Sequence, residues 1–318
     1  MNNFPIRMEN LKQILSRSIS AALFTAVMAG TWDAWWHGAL GRESFFSPPH
    51  ILLYLSVFVA ISFGVYGWYK TKEKLWKRLA FILAIVPFSA PFDEIWHRVF
   101  GIESVSSPLI VWSPPHVALI LSIVGSLVML LPILKDDKDA IAQRLFGGLA
   151  FASIFSLLLF LVSPLEPLGP YHLLGFWGAG ITAGLFGIVL LFAKKWLPGI
   201  GGATIFIAFF CMLSSIGFGE KIALGVTVPP HDHPPSWLQM FALILPAVAV
   251  DLVKFKYSWL QGAIAASLYG IILYSFASAF LEPAFQYGPV SAITAIFSSL
   301  IVGIISTLAV TYIETKNI

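Results

Sequence analysis

The chain has 318 residues, of which 58% are hydrophobic and only 11% charged, with a mean hydropathy of +0.84. Such a composition leaves too little polar surface to cover a soluble globule and places the chain among integral membrane proteins. The net charge of +3 points to no nucleic-acid partner, because the basic residues follow membrane topology, and the lone Cys211 excludes an intrachain disulfide or a thiolate metal site.

Apolar segments long enough to cross a bilayer recur at roughly 15–37, 49–70, 77–98, 115–134, 145–164, 171–194, 199–219, 236–253, 259–281 and 289–312. The alternating polarity of barrel strands is absent. The expected fold is an all-α, polytopic transmembrane bundle of about ten helices, paired into hairpins that open outward. Arg7, Lys12 and Arg17 precede the first span, and Lys70, Lys72, Lys74, Lys77 and Arg78 lie between the second and third. Lys135, Lys138, Arg144, Lys194, Lys195, Lys254, Lys256 and Lys316 fall on the same side, against Arg42, Arg98 and Lys221 on the other. Both termini are therefore expected to be cytoplasmic in a multi-pass protein of the cell membrane. The N-terminal basic and apolar run continues unbroken into the first motif below, so no signal-peptide cleavage is expected.

The ends of the first two hairpins carry a duplicated D-x-x-x-H...P-P-H pattern. The first copy, D-A-W-W-H-G-A-L-G-R-E-S-F-F-S-P-P-H, runs from Asp33 to His50. The second, D-E-I-W-H-R-V-F-G-I-E-S-V-S-S-P-L-I-V-W-S-P-P-H, runs from Asp93 to His116, with six residues inserted ahead of S-P-P-H. A match of this length is an internal repeat. Later hairpins hold fainter echoes: Glu166 and His172, then Glu220 with P-P-H-D-H-P-P, then Glu282. The charged loop 135–144 divides the chain into a four-helix module, 1–140, and a six-helix module of unknown role, 141–318.

Asp33 and His37 stand one helical turn apart on one face, and His50 opens the next helix behind Pro48 and Pro49, which set its start. One carboxylate and two imidazoles can thus reach one ion, and Asp93, His97 and His116 repeat the arrangement. Depth favours the same reading. Arg17 to Asp33 is 16 residues, about 24 Å of helix, short of the far edge of a core about 30 Å thick. A carboxylate there costs about 3 kcal/mol or more unless it is paired, protonated or metal-bound. The competing reading is an ordinary i,i+4 Asp–His pair in a belt of Trp32, Trp35, Trp36, Trp96 and Trp112; the duplication weighs against it. A two-His, one-carboxylate set suits copper, iron or zinc, and ligand type alone does not choose among them.

D-A-W-W-H, separated by twelve residues from His50 and closed by F-F-S-P-P-H, resembles the D-A-S-W-H...F-T-P-S-H signature of the C subunit of particulate methane monooxygenase and ammonia monooxygenase. In that family the Asp and both His bind copper at the outer face of the membrane. The resemblance implies that Asp33, His37 and His50 are copper ligands. F-D-E-I-W-H is similar to the family's N-E-x-W-H stretch, where an Asn and two His form a second copper site. Here Asp93 stands in place of that Asn and His116 is more distant, which moves preference toward iron or zinc. The resemblance covers about residues 15–135. It implies a copper-dependent membrane monooxygenase subunit that oxidises a small substrate with dioxygen, and partners in the form of further monooxygenase subunits. A standalone protein or homo-oligomer using the same hairpins is the other organisation, and a metal-handling or transport protein, or a non-catalytic partner of a membrane oxidase, is the rival function.

His231 and His233 form a third, looser cluster; Glu43 and Glu103, each six residues after a motif histidine, are candidate accessory groups that orient an imidazole. Asp251 is expected to pair locally with Lys254 and Lys256.

Overall fold

The computed structural model describes residues 8–40, 46–100, 108–162, 176–197, 201–224, 243–253, 257–280 and 289–316. Among them every regular element is helical: α1 (Met8–Leu40), α2 (Pro48–Thr71), α3 (Lys74–Phe100), α4 (Leu109–Trp112), α5 (Pro114–Lys135), α6 (Ala140–Val162), α7 (Phe176–Trp196), α8 (Gly202–Leu224), α9 (Ile244–Leu252), α10 (Ser258–Phe280) and α11 (Pro289–Lys316). Ten of these have nine residues or more and follow the ten apolar segments in order, while α4 is a four-residue turn. Seven (α1 to α3, α5 to α7 and α11) carry stretches long and apolar enough to cross a membrane. Shorter apolar stretches lie in α8 and α10, at Gly202–Leu213 and Trp259–Ile272. The chain is a multi-pass helical membrane protein. The nine residues of α9 span only about 14 Å, and the earlier part of its expected segment lies outside the described residues.

Local sequence explains the boundaries that matter. Prolines occupy the first two positions of both α2 and α5, where a missing N–H costs nothing. Lys72 ends α2 in the left-handed conformation (φ 58°) and returns its N–H to the Trp68 carbonyl. The chain then turns directly into α3, and the fully buried Trp76 lies against Gly67, where a Cβ would come within 2.5 Å of the indole. A side chain at position 67 would therefore push α2 and α3 apart.

One apolar core runs through the bundle from Leu15 on α1 to Ala295 on α11. Its centre is aromatic: the Phe155 ring lies 4.7 Å from Phe210, 5.6 Å from Phe186 and 5.8 Å from Phe206, tying α6 to α7 and α8. Helices α7, α10 and α11 approach closely, with Gly187 packed against the Gly262 carbonyl, as small residues permit in lipid. Phe58, Phe81, Phe88 and Ile141 lie on the outside, suited to contact with the bilayer.

The two ends of the bundle differ. At the charged end, Arg17 donates through Nε and Nη2 to Asp137, at 2.6 and 2.5 Å, and the Asp137 side chain is wholly buried. Lys12 pairs with Glu73, and Lys138 with Glu9 at 2.9 Å. The partners expected of Asp251, Lys254 and Lys256, lie outside the described residues, while Asp251 itself is engaged by distant ones. It is buried and accepts from Lys194 Nζ (3.1 Å), from the Thr204 hydroxyl (2.8 Å), and from the backbone N–H groups of Ala203 and Thr204 in the first turn of α8. It is a tertiary helix cap for the start of α8. The opposite, histidine end holds the beginnings of α2 and α5 and the end of α3.

Candidate metal centre

The second copy of the repeat assembles in full. Pro87 and Pro91 interrupt the hydrogen-bond ladder of α3 just before its last turns, from which Asp93 and His97 project on one face. The Nε2 atom of His97 lies 3.2 Å from Asp93 Oδ1. His116, at the start of α5, brings its own Nε2 to 3.4 Å from the same oxygen. The three residues each offer a ligand atom, and these atoms all lie within 4.8 Å of one another. At metal–ligand distances of about 2.1 Å, tetrahedral ligands sit about 3.4 Å apart, so two edges of the ligand triangle are already at bound length. An i,i+4 pairing accounts for Asp93 and His97; it gives no reason for a histidine from another helix to converge on the same oxygen. All three side chains are partly buried, which limits competition from water without sealing the site.

The first copy is built the same way as far as it is described. His50 Nε2 lies 3.1 Å from Asp33 Oδ1, joining α2 to α1. The residues before the proline pairs have nearly the same backbone, Ser47 at φ −57°, ψ 151° and Ser113 at φ −59°, ψ 143°, so both histidines leave equivalent turns. The backbone of His37 is helical, one turn beyond Asp33, and its side chain lies outside the described residues. The His50 ring stacks on Tyr54, with centroids 5.8 Å apart.

Three features were not anticipated. The six inserted residues of the second copy contribute α4, and Trp112, expected in an interfacial belt, donates its indole N–H to the Leu161 carbonyl near the end of α6 at 2.8 Å. The insertion thus ties the second site to α6. Glu94, adjacent to the cluster, is engaged by Arg98 at 3.0 Å. Finally, Ser47 and Ser113 are buried helix caps whose hydroxyls make no hydrogen bond; the second proline after each serine removes the N2 N–H, one of the two donors such a cap uses. The repeated S-P-P-H was the signal for this last feature.

The accessory candidates Glu43, Glu103, His231 and His233 lie outside the described residues, as do Glu166, His172 and Glu282. Glu220 is in α8, with its side chain outside the description.

Fold and site together define a multi-pass helical membrane protein with a candidate Asp/His/His metal cluster among its described residues. No family model, curated protein or solved structure matches the chain.

Proposed function

We propose that the chain is a membrane metalloprotein in which Asp93, His97 and His116 hold one metal ion and Asp33, His37 and His50 hold a second. The observation that carries this reading is the convergence of two imidazoles from different helices on the Asp93 carboxylate, with separations of 3.2 and 3.4 Å. The donor set fits copper, with iron or zinc as alternatives: imidazole suits all three, a single carboxylate removes one charge, and no thiolate is near. Three protein ligands leave coordination positions open, as in reactive sites more than closed structural ones.

With the positive-inside bias, both termini are cytoplasmic, the helices pair into outward-opening hairpins and both sites face the extracytoplasmic side. The resemblance of the first copy to the C subunit of copper membrane monooxygenases supports a role in oxidising a small substrate, alone or with partner subunits. A copper ion held there would supply reactivity toward dioxygen. The chain's own residues do the positioning: Asp93 draws both imidazoles to one point, the proline pairs fix where α2 and α5 begin, and the Trp112–Leu161 bond anchors the second site. A fixed site is favoured over a transport path. Among the described residues the buried charged side chains are Asp137 and Asp251, both at the charged end and both paired with a base. Mid-membrane ligands for a travelling ion would be expected of a transporter.

The test is metal analysis, with spectroscopy to identify the ion, of the chain purified from its native membrane. Stoichiometric metal in the wild type, reduced separately by Asp93→Ala/His97→Ala and by Asp33→Ala/His37→Ala, is expected. Absence of metal from the wild type, or content unchanged in both variants, would overturn the reading.

A further inference from the structure

At the charged end, a groove opens on the surface of the bundle between the first turns of α6 and α8, lined by Ile141, Arg144, Leu145, Ile205, Ala208 and Phe209. Its walls are apolar apart from one residue, and Ile141 and Leu145 are exposed on its rim. The helices close beneath it: a Cβ on Gly148 would meet Ile205 at 2.7 Å and Phe209 at 3.4 Å, so this glycine lets the floor form. Arg144 is the exception in the wall. Its Nε is shielded from solvent and makes no hydrogen bond, whereas Arg17, Lys12, Lys138 and Lys194 at the same end are each matched to an acid. Asp139 caps the first turn of α6 through Ile141 and Ala142, and Asp251 caps α8. Among the described residues no acid is paired with Arg144, which leaves it open to an anion from outside the chain.

We propose that this groove binds an anionic phospholipid, with the phosphate on the Arg144 guanidinium and one acyl chain along Ile141, Leu145, Ala208 and Phe209. Arg144 sits four residues into α6, about 6 Å from its start and close to the level of the interfacial Lys135, which lies over the Trp196 ring. With the basic end at the membrane surface, as the positive-inside bias has it, that level is the depth of lipid headgroups. A guanidinium presents a planar fork suited to two phosphate oxygens, and it gains strength where its Nε is desolvated. The apolar walls decide between a lipid and a free phosphate, because only a lipid gains from covering them. The site is independent of the metal centre, at the other end of the bundle.

The experiment is native mass spectrometry of the full chain released from bilayer discs of phosphatidylcholine mixed with phosphatidylglycerol, with melting temperature as the control for folding. The wild type is expected to retain one phosphatidylglycerol in preference to phosphatidylcholine. Arg144→Gln should lower that preference about fivefold. Ala208→Phe, or Leu145→Phe should the first variant melt early, fills the groove and should lower total lipid retention with Arg144 intact. Equal retention of phosphatidylglycerol by wild type and Arg144→Gln overturns the proposal, as does retention untouched by a filled groove. Displacement of the lipid by millimolar inorganic phosphate would also overturn it, by showing that the walls contribute nothing.

Discussion

Carboxylates at the two ends of this bundle keep different company. At the charged end Asp137 faces a guanidinium and Asp251 an ammonium group and a helix start; at the histidine end Asp33 and Asp93 face imidazoles. The first kind of pair is complete: a base meets an acid, and the pair staples neighbouring elements. The second kind offers imidazole nitrogens and a carboxylate oxygen, a donor set that suits a cation from outside. The same residue type is fully buried against a base at one end and partly exposed beside imidazoles at the other, and its partners separate a structural pair from a candidate metal ligand.

Substitutions at each end separate the two roles. The largest effect is expected at Arg17→Met, which leaves the buried Asp137 carboxylate without its guanidinium. It should destabilise the protein by about 3 kcal/mol, with or without metal, as measured by unfolding in mild detergent. Asp93→Ala should behave differently. Its apo form should unfold within about 1 kcal/mol of wild type, while the second site's share of the metal stabilisation, about 2.7 kcal/mol for an ion present at 100 times its Kd, should vanish. Equal effects of metal on wild type and Asp93→Ala would remove the distinction between the ends. Trp112→Phe should cost about 1 kcal/mol through loss of the bond to the Leu161 carbonyl, and should weaken metal binding at the second site while leaving the first unchanged. Ser113→Ala should be the mildest, neutral or slightly stabilising in thermal melts, since its buried hydroxyl makes no hydrogen bond within the chain.

Much of this was legible in the sequence because membrane constraints are strong. Length and hydropathy located the helices, and the i,i+4 spacing of Asp93 and His97 together with the proline pair before His116 pointed to the three residues that come together as a candidate cluster. The interactions that escaped were those between distant segments. The bundle presents Asp251 with Lys194 and the first turn of α8, 47 to 57 positions off, which no local spacing announces. Trp112 reads as a belt residue, and only the placement of α4 beside α6 gives its N–H an acceptor. Helix periodicity records which face a residue occupies, and not which helix that face will meet.

The central claim is that His97 and His116, from different helices, bind one ion together with Asp93. X-ray absorption at the edge of the bound metal, on wild type and His116→Ala with the first site removed by Asp33→Ala/His37→Ala in both, tests it most directly. The account predicts two imidazoles and an oxygen donor at about 2.0–2.2 Å in the first shell, and one imidazole fewer in His116→Ala. A shell unchanged by His116→Ala, or no stoichiometric metal to absorb, would contradict it.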